Sequence, residues 1–141
     1  MNFKRISSCI LGVFLLTVTG EAQSNNRLAW TEWTQVTPTS IKPSLAFTDS
    51  SMSAFAGCNR IFGSYKLTGS KLSFASLGST KIACEDSKMK LERQFLDALV
   101  KIQSFKLSKD GKTLNLIGKN TRLNFGFARA TPNAFVESSR A

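Results

Sequence analysis

Alternation of apolar and polar residues in short runs, each ended by a cluster of turn formers, constrains this chain more than any other feature. In an extended strand successive side chains point to opposite faces, so a period of two buries one side of a sheet; a helix needs spacings of three and four instead. Leu45 and Phe47 alternate with polar neighbours, Asp49-Ser50-Ser51 supplies a turn, and Met52, Ala54 and Ala56 resume the pattern up to Gly57. Phe62 to Leu67 reads as another strand, Thr68-Gly69-Ser70 as a turn, and Leu72 with Phe74 as its return. Phe105 and Leu107 are joined to Leu114 and Leu116 across Lys109-Asp110-Gly111-Lys112. Asp-Gly between two alternating runs is a strong hairpin signal, because both residues tolerate positive φ. Gly118-Lys119-Asn120 then turns the chain into Leu123, Phe125 and Phe127.

One segment breaks the period. Over residues 87–102, Leu91, Phe95, Ala98, Leu99 and Ile102 fall on one face of a helix. Asp86 and Ser87 suit its N-cap, with Glu85 near the positive end of the helix dipole and Lys101 near the negative end. The pattern therefore predicts an α+β fold, mainly antiparallel β: a curved sheet or open barrel of about seven to eight short strands with one amphipathic helix covering an opening or face. Eleven phenylalanines among 141 residues supply much of the apolar bulk.

The ends read differently. Residues 1–22 have the form of a secretory signal peptide, with Lys4 and Arg5 ahead of the apolar run Cys9–Val18, and small residues at Gly20 and Ala22. That run is too short to span a bilayer as a helix. Cys9 begins the run, whereas a lipidated cysteine would follow it, so the expected product is exported, periplasmic or secreted, and soluble rather than lipid-anchored. Residues 23–32 read as a polar leader, 33–128 as one domain, and 129–141, where alternation stops, as a mobile tail.

Without Cys9 the chain keeps two cysteines, Cys58 and Cys84. In an oxidising compartment they suggest a disulfide closing a loop of about 27 residues; the alternative is a pair of buried thiols packed as small apolar groups. Catalysis by a Cys58 thiolate would need an activating base or cation, and Arg60 and Lys81 are the nearest in sequence. The chain has no histidine, which excludes Ser-His-Asp and Cys-His catalysis and His-ligated zinc. Glu85 and Asp86 beside the cysteines lack the usual spacing of metal ligands. No metal site, no cofactor and no enzymatic activity are expected.

The run Ala54-Phe55-Ala56-Gly57-Cys58-Asn59-Arg60-Ile61-Phe62-Gly63-Ser64-Tyr65 carries a specific resemblance, and so does Ser79-Thr80-Lys81-Ile82-Ala83-Cys84 further on. In order and spacing, Gly-Cys-Asn-Arg-x-x-Gly-x-Tyr and Thr-x-x-Ala-Cys resemble the META domain family, the HslJ-like heat-shock and envelope proteins. Glu92, Phe95-Leu96-Asp97-Ala98-Leu99 and the hairpin from Phe105 to Leu116 are similar to later parts of the family pattern. The likeness runs from about Trp33 to Phe127. It implies a small bacterial envelope or secreted protein, often lipidated, linked to heat shock, novobiocin resistance or, in protozoan parasites, virulence and motility, with no catalytic role. Two departures are visible: the connection from Trp33 to Leu45 is short, and the lipidation cysteine is missing.

The motif residues Gly57, Asn59, Arg60, Gly63, Tyr65 and Thr80 have two readings. Gly57 and Asn59 can adopt backbone conformations closed to most residues, which suits a fold-defining corner. Asn59 and Arg60 would also suit an anionic or carbonyl-bearing ligand. The charge has two readings as well: 19 Lys and Arg against 9 Asp and Glu give +10. Lys66, Lys71, Lys106, Lys109, Lys112 and Lys119 form either a solvated face or an attractive surface for an anionic envelope component. Export argues against nucleic acid as the partner, and no transmembrane segment and a monomeric state are expected. The sequence thus points to an exported, non-enzymatic protein of envelope stress tolerance to heat or antibiotic. A secreted inhibitor or host- or competitor-directed binding protein is the first alternative, and a Cys58-dependent enzyme the second.

Overall fold

The computed structural model describes residues 26–130. The signal peptide expected at 1–22, with Cys9, and all of the tail beyond Ala130 lie outside the described residues. Eight strands and one helix follow in the order β1 (Thr31–Gln35), β2 (Ser44–Phe47), β3 (Ser51–Phe55), β4 (Arg60–Thr68), β5 (Lys71–Ser79), α1 (Asp86–Leu99), β6 (Ile102–Leu107), β7 (Thr113–Gly118) and β8 (Thr121–Ala130). Each strand pairs antiparallel with the next, and β8 returns to β1, so the barrel is closed. The expected hairpins are those that form, including β6 to β7, where Gly111 has φ +71°.

Closure follows from the pleat. Trp33, Leu45, Ala54 and Ile61 are opposite one another on β1 to β4 and are all buried, so one row of inward side chains runs across four strands and mixes large with small. Leu114 faces Phe125 on β7 and β8, also buried. Gly63 is required by close approach: a Cβ there would sit 2.8 Å from Leu77 Cδ2 and 2.9 Å from the Ala75 carbonyl oxygen, at a break in the β4–β5 register.

Four boundaries differ from expectation. The helix ends at Leu99, and Ile102 is the buried first residue of β6 rather than the last apolar residue of α1, because its position satisfies both periods. Glu85 stands at the N-cap with no side-chain bond, and Asp86 lies in the first turn. The described part of the supposed leader, Asn26 to Glu32, belongs to the barrel: Leu28 is fully buried and β1 begins at Thr31. At the other end β8 continues through Arg129 and Ala130, which pair with Glu32 and Thr31.

Tyr65 fastens that first segment. Its hydroxyl donates to the Thr48 carbonyl and accepts from Asn26 Nδ2 at 2.6 Å, while Asn26 Oδ1 accepts from the Leu28 and Ala29 amides at 3.1 Å each. Burial, with Asp49 adding repulsion against the bonded Asn26, pushes the Tyr65 phenol above its ordinary value of 10.0. The folded state therefore holds this proton more tightly than the unfolded state. The stabilisation it brings is complete below the unfolded value and declines as pH rises through the folded one. Tyr65 is the only tyrosine in the chain, so tyrosinate absorbance should titrate with a midpoint above 10.0 in the folded protein and return to that value in urea. A folded midpoint at or below the urea value would contradict this placement.

Candidate functional site

After β3 the chain passes through buried Ala56 to Gly57, whose φ of +107° lies in a region that side chains rarely adopt. A Cβ at Gly57 would also meet Ile41 Cγ2 at 3.0 Å. The resulting corner turns Cys58 and Asn59 inward before β4 begins at Arg60. Cys58 is bonded to Cys84, with Cα atoms 6.0 Å apart, which ties the corner to the segment entering α1. The disulfide reading holds, and the paired sulfurs provide no thiolate in this state.

Asn59 is 2% exposed and uses all of its side-chain polar atoms. Nδ2 donates to Glu92 Oε1 at 3.0 Å and to the Ile82 carbonyl at 3.2 Å. Oδ1 accepts from the Ile82 amide at 2.6 Å and from the Thr80 hydroxyl at 2.9 Å. The Asn59 backbone N–H donates to Glu92 Oε2. Thr80 Oγ1 in turn accepts from the Arg60 amide at 3.1 Å. A latch with buried Asn59 and Glu92 at its centre thus joins the β3–β4 corner, the strand exit at 80–84 and α1.

Glu92 was given no role in this latch by its sequence pattern, although a signal was present. Glu92, Phe95 and Leu99 are the buried residues of α1, spaced three and four apart, so an acid occupies the apolar stripe. Leu91, expected on that stripe, is only partly buried. An acid at such a position needs donors, and Asn59 supplies two.

The structure brings Asn59, Thr80, Cys58, Cys84 and Glu92 together and leaves Gly63 and Tyr65 elsewhere as packing and tethering residues. Arg60 separates the two roles. Its backbone belongs to the latch, whereas its side chain is exposed and opposite Phe55 on the outer wall. There it borders a cavity of about 400 Å3 with Ala46, Ser53, Phe55 and the ion-paired Glu32 and Arg129. Of the motif residues, Arg60 alone carries a charged side chain, and that side chain is exposed.

Barrel, helix and latch define a small disulfide-linked β-barrel module in which the most motif-like residues hold the scaffold. The META domain model matches residues 21–130, and the chain belongs to the META domain family. The matched region begins ahead of Trp33, in agreement with the burial of Leu28. An NMR structure of a protein from Burkholderia xenovorans is similar at 28% identity and TM-score 0.62, covering 72% of this chain and 83% of that one. A second NMR structure, 20% identical with TM-score 0.55, covers 71% and 91%. A DUF4847 family protein from Bacteroides vulgatus, 14% identical with TM-score 0.52, covers 75% and 96%; these last two share the fold. No curated protein matches the chain.

If the latch is one unit, its members act together. Asn59→Ala should lower unfolding free energy by about 3 kcal/mol, because it leaves a buried carboxylate short of a donor. In a denaturant-based double-mutant cycle, Asn59→Ala and Glu92→Gln should couple by more than about 1 kcal/mol. Additive effects would contradict the latch.

Proposed function

We propose that this META domain protein is exported and acts without catalysis, contributing to envelope tolerance of heat or antibiotic by binding an anionic envelope component. The observation that carries this reading is the charge of the barrel wall. The strands hold six cations, Arg60, Lys66, Lys71, Lys106, Arg122 and Arg129, and a single carboxylate, Glu32. Glu32 is taken by Arg129 at 2.6 Å. The other five are exposed and have no ion-pair partner among the described residues.

Unpaired like charges on a rigid wall repel one another and attract an anionic surface, an attraction that salt screens over about 8 Å at physiological strength. The Cys58–Cys84 disulfide is in keeping with an oxidising compartment, where such bonds persist. No helix among the described residues is long and apolar enough to cross a membrane. A Cys58-dependent enzyme would first require reduction of that bond.

Binding to envelope fragments from the producing cells tests the reading, alongside survival of a deletion strain under heat and antibiotic. The bound fraction should fall as salt rises, and Lys66→Glu with Lys106→Glu and Arg122→Glu should weaken binding by roughly tenfold without unfolding the protein. Binding indifferent to salt and to charge reversal would contradict it, as would a deletion strain with unchanged survival.

A further inference from the structure

The barrel is joined unevenly. β4 pairs with β5 as far as Ser79, and β7 with β8 along the length of β7, but β6 meets β5 at one register position, Lys71 opposite Ser104. From Leu72 to Ser79, β5 has β4 on one side and, among the described residues, no strand on the other. Such an edge offers a row of backbone donors and acceptors. Proteins commonly blunt exposed edges with lysine, proline, inward charge or a bulge; Leu72–Ser79 has no lysine, proline or charge, and its one irregularity is at Ser76 (φ +53°), where pairing to β4 shifts between Ala75 and Gly78.

A cavity lies at each end of this edge. One of about 410 Å3 is bordered by Leu72, Ser73, Ile102 and Gln103, with Lys66 and Lys71 at its rim. The other, about 380 Å3, lies between the β5 exit and α1, bordered by Ser79, Ile82, Met89 and Leu96, with Lys81 and Arg93 at its rim. Ile82 is 59% exposed there. None of the four cations has an ion-pair partner among the described residues.

We infer that the uncovered edge of β5 is a strand-addition site for an acidic, extended polypeptide segment. The edge supplies main-chain hydrogen bonds, the two cavities take apolar side chains, and the paired cations at each end select carboxylates. A segment of seven residues spans roughly 23 Å at 3.3 Å per residue, comparable to the stretch from Leu72 to Ser79 along which the two cavities are set. The charge excludes a second copy of this basic chain as the preferred occupant. The inference rests on the reading of the domain as a binding module and gives its partner a chemical class.

The test uses the full chain and a synthetic seven-residue peptide of alternating valine and threonine with an aspartate near each end. Two isomers carry N-methyl groups on alternate amides, one set per isomer. Because an added strand bonds through every second residue, one isomer should bind like the parent and the other should lose about tenfold or more. Hydrogen exchange in Leu72–Ser79 should slow on binding, and Lys81→Glu with Arg93→Glu should weaken binding by about tenfold. Equal binding of the two isomers would overturn the inference, as would equal binding of a peptide with lysine in place of aspartate. Slowed exchange of β5 with rising protein concentration and no peptide would overturn it in favour of paired copies. Salt-sensitive binding to envelope fragments would survive any of these failures, and so separates them from failure of the broader reading.

Discussion

The carboxylate of Glu92 is the constraint around which the molecule is arranged. At 7% exposure Glu92 is buried, and a buried carboxylate stripped of its donors costs about 3 to 5 kcal/mol. Asn59 meets it with a backbone and a side-chain N–H, and remaining groups of Asn59 hold Thr80 and Ile82. The latch fixes where α1 sits on the barrel, since the same helix turns Phe95 and Leu99 into the core and sets Phe95 against Phe125. The disulfide acts on the same junction from the covalent side, limiting how far the corner and the helix entrance can separate in the unfolded chain.

This arrangement explains why the Gly57-Cys58-Asn59-Arg60 sequence looks like a site while serving as scaffold. Each residue solves a local problem: Gly57 permits the backbone turn, Cys58 ties it, Asn59 satisfies the buried acid, and Arg60 begins the next strand. On the outside of the barrel, strand cations outnumber strand carboxylates, and β5 beyond Lys71 has no paired strand on its second side among the described residues.

The strands and turns were legible because alternation is a local property and each hairpin carries its own turn residues. What escaped is non-local. Ile102 fits the helical stripe and the following strand equally well, so spacing alone could not end α1 at Leu99. The segment before Trp33 is polar in composition, yet Leu28 fills the core and Asn26 hydrogen-bonds Tyr65, which is 39 residues away. Closure of β8 onto β1 likewise joins the two ends of the domain, beyond the reach of any periodicity. Glu92 was readable as an acid on an apolar stripe, but its partner lies 33 residues earlier, on a turn. Two cysteines 26 residues apart are compatible with either a bond or buried thiols, and the structure contains the bond.

Amide hydrogen exchange at the latch measures the central claim most directly. If Asn59 and Glu92 hold corner, strand exit and helix as one unit, the Asn59 and Ile82 amides exchange only through global unfolding, as slowly as Leu114 and Leu116 in the core. Exchange of those two amides at the rate of the exposed turns, with Leu114 and Leu116 still protected, would show that the junction opens by itself and would contradict the account.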